Sequence, residues 1–480
     1  MNALGSLLDS PVAQLYVLIE WTIRLAALFI VPLRRPPAAA TAWLLLLFFL
    51  PIVGLVMYLL VGRPRISRDR AEKIAHLTHI LRPITDRLAR AEPQGSGNLP
   101  ARFAAVDQMV RRWRQFPLFD GNRIGLIDSM DAFAAELVRE IDAAQDHVHL
   151  TFYIAAIDRA TRPVFDAMQR AAARGVTVRL IVDDFGSKEN MRHLRRLARR
   201  GIAVGRAFPR SKLPRKSARF DLRNHRKLVV IDGQVGYAGS MNLVRPEFGR
   251  GQSYEDLMLR IEGPVVLELQ AIFAGDWYLE TGLLLDTERY FPAPVTAGHE
   301  SCVGLPSGPE YPEPLLQRLL LGLLHAATER VEIVTPYFVP DESTLDALKA
   351  AARRGVHCEL ILPESLDHPL VQLAQESYFD ELLEAGVNIR RHPTRLLHSK
   401  ITLCDGRLSL VGSANLDVRS SLINAELGLL CYSSETAARL ADQIETYRRA
   451  CPRLSREQWD ERGRGRVLAQ NLARLTSPLL

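Results

Sequence analysis

Apolar and polar positions follow two patterns along this chain. Near the N-terminus they form long apolar runs. The stretch from Leu15 to Leu33 is interrupted only by Glu20 and Arg24, and AWLLLLFFLPIVGLVMYLLV from Ala42 to Val61 carries no charge. At helical rise about 20 such residues cover the roughly 30 Å of a hydrocarbon core. Arg34, Arg35, Pro36 and Pro37 part the two runs, which predicts a helical hairpin with helices at about residues 13–33 and 42–61. Glu20 and Arg24, spaced i and i+4, can pair on one helix face, and Trp43 and Tyr58 suit the interfaces. Residues 63–120 read as a basic, partly helical linker, broken at Glu92 to Pro100 by EPQGSGNLP.

Beyond the linker, short β-rich runs alternate with helical stretches, and the order occurs twice. HVHLTFY from His147, AAARGVTVRLIVDD from Ala171 and RLARRGIAV from Arg196 are answered by RVEIVTPYF from Arg330, AAARRGVHCELILPE from Ala350 and ELLEAGVNI from Glu381. Each helix ends in Arg-Gly or Ala-Gly, a C-cap before the next strand. The expectation is an α/β fold of two similar sandwich domains, residues 121–285 and 286–480, after a hairpin at 1–62.

Charge adds direction. Arg63, Arg65, Arg68, Arg70 and Lys73 follow the second run, against two arginines between the runs, so the positive-inside rule puts the large domains in the cytoplasm as part of a multi-pass membrane protein. The net charge of +7 suits anionic lipid or nucleic acid alike. Five cysteines with no CxxC pair indicate neither a disulfide framework nor a zinc site, and they read as reduced core residues.

The chemistry lies in a motif that occurs twice, HxKxxxxDxxxxxxGSxN: His225, Lys227, Asp232, Gly239, Ser240 and Asn242, then His398, Lys400, Asp405, Gly412, Ser413 and Asn415. Imidazole can attack phosphorus or carry a proton near neutral pH. Lysine and asparagine can donate to the non-bridging oxygens of a phosphodiester. Two copies suggest one active site at the junction of two similar halves. On a strand, positions i and i+7 are too far apart for contact, so Asp232 and Asp405 are expected to be structural, ion-paired at strand ends. His193, His357 and His392 lack partners at motif spacing, and Tyr337 and Phe338 fit a core or a pocket wall equally well.

At these residues the chain resembles the phospholipase D superfamily, whose signature is a pair of such motifs. RNHRKLVVIDGQVGYAGSMNL, TPYFVPDE from Thr335, DWYLETG from Asp276 and the terminal SPLL make it similar to the bacterial cardiolipin synthases within that superfamily. The resemblance implies a catalytic set of His225, Lys227, Asp232, His398, Lys400 and Asp405, with Asn242, Asn415, Ser240 and Ser413 binding phosphate. It implies His225 as nucleophile and His398 as acid and then base. Histidine-orienting acids map to Asp256 and Glu426, with Glu255 a rival to Asp256, since Glu255 and Met258 depart from the family's pattern around it. The implied reaction joins two phosphatidylglycerols into cardiolipin and glycerol with no cofactor, no metal and no obligatory protein partner. Anionic membrane lipid is the expected surface.

Alternatives are a phospholipase D releasing phosphatidic acid, which the synthase-like segments disfavour, and a nuclease, which the hairpin disfavours, so no nucleic acid is expected. The segment PRSKLPRKSARFDLR carries Arg210, Lys212, Arg215, Lys216, Arg219 and Arg223 just before His225, and reads either as a solvated loop or as a lipid-headgroup contact.

Overall fold

The computed structural model describes residues 11–33, 37–60, 62, 66, 68–91, 100–113, 118–209, 221–248, 253–285, 288–311, 313–393 and 395–477. Arg34, Arg35, Pro36, Arg63, Arg65, most of the 92–100 connector, the basic segment from Arg210 to Arg219 and the last three residues lie outside that set. The chain divides into two compact units, residues 1–68 with 210–221, and residues 69–209 with 222–480.

In the smaller unit, helix Pro11–Ile30 is long and apolar enough to cross a membrane. The second apolar run forms two helices, Pro37–Phe49 and Pro51–Leu60. The break falls at Leu50 because Pro51 has no N–H to donate into the helix. Ala27, Val31, Trp43, Leu47 and Tyr58 pack together, with the rings of Trp43 and Tyr58 edge to face at 5.3 Å. The expected pair forms: Arg24 donates to Glu20 at 3.0 Å, and its Nε also donates to the Phe48 carbonyl at 3.1 Å, close to the break.

The larger unit is built on one sheet of 14 strands. The first half supplies β1 (Phe119–Ile127), β2 (His147–Phe152), β3 (Thr177–Asp183), β4 (Ile202–Ala207), β5 (Leu228–Ile231), β6 (Val235–Gly239) and β7 (Met258–Glu262). The second supplies β8 (Glu300–Ser307), β9 (Arg330–Val334), β10 (His357–Pro363), β11 (Asn388–His392), β12 (Ile401–Cys404), β13 (Leu408–Gly412) and β14 (Glu426–Cys431). From the centre outward the first half runs β1, β7, β6, β5, β2, β3, β4, and the second repeats that order as β8, β14, β13, β12, β9, β10, β11. The halves join where β1 pairs antiparallel with β8 across an irregular register. The sequence repeat is therefore a topological repeat within a single sheet.

Alternation along the strands explains the layers. On β2, Val148, Leu150 and Phe152 enter a core shared with Phe133, Leu137, Val164 and Phe165 of helices Met130–Ala143 and Arg162–Ala173. From the opposite face His149 stacks on Phe273 of helix Val266–Thr281 at 4.4 Å. On β9, Val331 and Ile333 face the second core while Glu332 faces Arg448 of helix Ser434–Ala450. Gly175, Gly201, Gly355 and Gly386 end their helical stretches with φ between 80° and 92°, the left-handed C-cap that their spacing predicted. All five cysteines are free and buried.

The stretch expected to be a linker is partly core. Phe103, Val106 and Val110, around the short helix Ala104–Trp113, are buried against Leu316, Leu319 and Leu320 of the second half. Phe103→Ala should cost about 3–5 kcal/mol of stability through the cavity it leaves. Thermal unfolding in detergent reads this directly, and a loss of only about 0.5 kcal/mol, the scale of a surface substitution, would mean that the stretch is a connector after all.

Candidate active site

Each motif histidine precedes a central strand, His225 before β5 and His398 before β12, and both are tied to the opposite half. The His225 amide donates to the Ala425 carbonyl at 2.8 Å, and the His398 amide to the Glu255 carbonyl at 2.7 Å. Side chains cross in the same sense. His225 Nδ1 lies 3.0 Å from Glu426 Oε1, and His398 Nδ1 lies 2.6 Å from Asp256 Oδ1. Each Nε2 is thereby left for chemistry. Glu255 instead pairs with Arg395 at 2.7 Å and lies 3.2 Å from His392, so the geometry favours Asp256 as the acid on His398. The same contact gives His392 a partner that its spacing did not disclose.

Small residues of the motif hold those acids in place. A Cβ on Gly239 would overlap the Leu257 carbonyl, and one on Gly412 the Leu427 carbonyl, so only glycine allows β6 and β13 to approach the segments that carry the acids. One residue on, the Ser240 and Ser413 hydroxyls accept the amides of Leu257 and Leu427, each at 2.9 Å, immediately after Asp256 and Glu426. Ser413 also donates to Glu426 Oε2 at 2.5 Å. The serine hydroxyls thus engage the acid segments, where the resemblance implied phosphate as their partner.

Lys227 and Lys400 run back along their own motifs and donate to the carbonyls of His225 and His398 at 2.7 and 2.6 Å. The Asn242 amide oxygen accepts from Ile154 N–H at 3.1 Å, which leaves its NH2 to donate. Asn415 is buried beside Lys400 in a mainly apolar cavity of the second half. Tyr153 meets the His225 ring edge to face at 5.0 Å, and Tyr254 stacks on His398 at 5.2 Å. Phe338 is core, while the Tyr337 hydroxyl donates to Asp367 at 2.8 Å. His193 and His357 are exposed.

Asp232 and Asp405 are not brought to the histidines. Each stands past the far end of a four-residue strand that is itself about 13 Å long. Asp232 has φ 52° and accepts the amides of Gln145, Asp146 and His147; Asp405 has φ 49° and accepts those of Thr328, Glu329 and Arg330. Each carboxylate pins a tight Asp-Gly turn to the start of the neighbouring strand, β2 or β9. The expected ion pair exists for Asp405, with Arg102 at 3.1 Å, but backbone amides are the common partner.

Sequence reasoning missed Arg226. It is buried between the motif His and Lys, donates to the carbonyl of Glu426 at 2.9 Å and to Glu310 at 2.7 Å, and pairs with Asp276. Its signal was the start of DWYLETG, which put an acid, Asp276, on a largely buried helix.

A family model described as cardiolipin synthase, PLD-like domain matches residues 137–277 and 320–448, and one described as phospholipase D-nuclease N-terminal matches residues 22–63. Cardiolipin synthase A of Yersinia pseudotuberculosis serotype O:1b (strain IP 31758) is 35% identical over 463 residues, covering 93% of this chain and 94% of its own. Cardiolipin synthase A of Yersinia pestis matches to the same extent. The chain belongs to the cardiolipin synthase family of the phospholipase D superfamily. Its fold is also that of the crystal structure of phosphatidylserine synthase from Haemophilus influenzae Rd KW20, with a TM-score of 0.57 at 15% identity, over 78% of this chain and 100% of that one.

Electrostatics in this family member's site are set by burial. Desolvation, aided by Lys227 and opposed by Glu426, lowers His225 to about 4, and His398 is lowered in the same way. Burial also lowers Lys227 to about 8 and Lys400 to about 7, the second helped by the charge of Lys227. Burial opposes the charge on Asp256 and Glu426, yet the facing histidines and lysines hold both carboxyls below their usual range.

Two outcomes follow from this arrangement. A lysine binds phosphate as a cation, so kcat/KM for a dispersed phosphodiester substrate should fall as pH rises through about 7 and again through about 8; a flat profile across that window would remove the lysines from substrate binding. Asp232→Ala and Asp405→Ala should each cost about 2–4 kcal/mol of stability by orphaning backbone amides. Each should keep its turnover per folded molecule, and loss of turnover without loss of melting temperature would return these aspartates to the catalytic set.

Proposed function

We propose that this chain makes cardiolipin by moving a phosphatidyl group from one phosphatidylglycerol to the hydroxyl of another, releasing glycerol, through a phosphohistidine on His225. Its class, a phosphatidyltransferase, follows from its family. The observation that carries the mechanism is the crossed pairing of His225 with Glu426 and His398 with Asp256. Nε2 of His225 attacks phosphorus as the bond to the glycerol oxygen breaks, and that oxygen takes the proton of His398. Lys227, Lys400, Asn242 and Asn415 donate to the non-bridging oxygens as charge gathers there. In the second half-reaction His398 removes the proton of the incoming lipid hydroxyl, whose oxygen displaces His225.

Before substrate arrives, burial favours the neutral form of both imidazoles. The anionic phosphodiester then favours the protonated form of His398, the form the first step needs. The Pro11–Ile30 helix, with the family, supports association with the inner membrane. The Arg and Lys bias around the apolar runs supports a multi-pass arrangement with the catalytic unit on the cytoplasmic side.

Given phosphatidylglycerol with labelled phosphate, the detergent-solubilised protein should yield cardiolipin and free glycerol. His398→Ala should retain label on the protein and His225→Ala should not. Label held only when His225 is absent would exchange the two roles, and phosphatidic acid as sole product would move the chain to the hydrolases.

A further inference from the structure

Two arginines that the phosphatidyl transfer does not use reach the surroundings of His225, one from each half. Arg223 lies two residues before His225 on an extended segment, where Asn224 bridges to Ala425, so alternation sends the Arg223 and His225 side chains to the same face. Both meet Tyr153: the His225 ring lies edge to face with it at 5.0 Å, and Arg223 donates a hydrogen bond to its hydroxyl. Arg419, four residues after Asn415 on the short helix Val418–Leu422, lies within electrostatic reach of the same hydroxyl. Tyr254, stacked on His398, is in turn within electrostatic reach of Tyr153, so the arginines border the space that the two histidines share. The matching positions around the other motif are Leu396, fully buried, and Pro246, so the pair departs from the two-fold pattern.

Each arginine is half-buried, and each has an exposed apolar side chain beside it. The Arg223 guanidinium lies 4.2 Å from the centroid of the Phe185 ring, which is 45% exposed, and Leu422, 56% exposed, follows Arg419 by three residues on its helix. Nearby carboxylates are turned to the backbone: Asp183 accepts the amides of Phe185, Gly186 and Asn224, and Asp417 accepts that of Ser420. Asp183 thereby ties the Phe185 loop to the segment that carries Arg223. A guanidinium matches the oxygens of a phosphate, and exposed hydrocarbon next to it suits a phosphate that carries acyl chains. The reacting phosphate already has Lys227, Lys400, Asn242 and Asn415. Cardiolipin has a second phosphate across its linking glycerol, and an accepting phosphatidylglycerol brings that phosphate with it.

We propose that Arg223 and Arg419 form a second phosphate site, which holds the non-reacting phosphate of cardiolipin and, in the forward direction, the phosphate of the accepting phosphatidylglycerol. The site rests on the synthase reading and deepens it by naming how a lipid alcohol is preferred to a free one. Its contribution is isolated by running the transfer backward. His225 displaces phosphatidylglycerol from one phosphorus of cardiolipin as His398 protonates the leaving oxygen; glycerol then gives its hydroxyl proton to His398 and its oxygen to phosphorus as the bond to His225 breaks. Cardiolipin and glycerol thus return two phosphatidylglycerols. With phosphatidylglycerol as donor the same steps exchange one glycerol for another, and no second phosphate takes part.

The test gives the full-length protein in detergent labelled glycerol as acceptor and either cardiolipin or phosphatidylglycerol as donor. Arg223→Gln and Arg419→Gln should each lower kcat/KM for cardiolipin about ten- to a hundredfold, the scale of one hydrogen bond to a charged group. Exchange into phosphatidylglycerol should change by less than about threefold. Arg419→Lys, which keeps the charge, should recover part of the loss. The ratio between donors does not depend on how much of each variant folds. Equal losses with both donors, or an unchanged ratio in both glutamine variants, overturns the second phosphate site. If the unaltered protein places no label in phosphatidylglycerol from either donor, the synthase reading fails and the site fails with it; an unchanged ratio in the variants leaves that reading standing.

Discussion

Everything at this site depends on two imidazole–carboxylate pairs in which each partner belongs to a different half of the chain. Glu426 is 201 residues from His225, and Asp256 is 142 residues from His398. Neither half can orient its own histidine, so catalytic geometry exists only once β1 and β8 have joined the sheet. A buried carboxylate without a partner is costly, and here the partner is supplied by closure of the two halves. The motif glycines and serines serve that closure: glycine removes the Cβ that would hold β6 and β13 away from the acid segments, and serine holds the residue after each acid.

Charge balance follows from the same pairs. With both lysines cationic, both carboxylates ionised and both imidazoles neutral, the buried set carries no net charge. A phosphodiester anion therefore enters a neutral site and unbalances it by one negative charge. One proton on an imidazole restores neutrality, so substrate binding itself favours arming the general acid. The site needs no exposed cation for this, which is consistent with Lys227 and Lys400 being 0% and 4% exposed.

How much of this was legible in the sequence depends on the range of the interaction. The doubled spacing disclosed the two halves and the His, Lys and Asn positions, because a motif is local. Glycine C-caps were legible for the same reason. The crossing of acids was not, since nothing in NAELGLL or SYEDLML says which histidine each faces; even their candidacy came from resemblance. Asp232 and Asp405 were rightly separated from the histidines by strand geometry, but backbone amides carry no side-chain signal and so could not be named as their partners. Val106 and Val110 lie one turn apart on a helix of only ten residues, just after Phe103, and the basic stretch around them masked that short apolar stripe. Pro51 stood in plain view, and the unbroken hydropathy around it masked a helix break.

A two-fold scaffold must still run a reaction whose two histidines do different work, and the departures from symmetry fall where that difference requires them. Beside His225 stands Arg226, buried, bonded to the carbonyl of Glu426 and braced by Asp276 and Glu310; the equivalent position beside His398 is Ser399, a neutral residue bonded to Tyr447 and the Glu255 carbonyl. At the end of β3, Asp183 accepts the Asn224 amide just before His225, where the matching end of β10 is Pro363. A nucleophile must keep one position while a covalent bond forms on it and breaks. An acid that later serves as base must instead face first a departing and then an arriving alcohol, beside space for both. The bracing through Arg226 on the His225 side matches the first demand, which supports the proposed role of His225 as nucleophile.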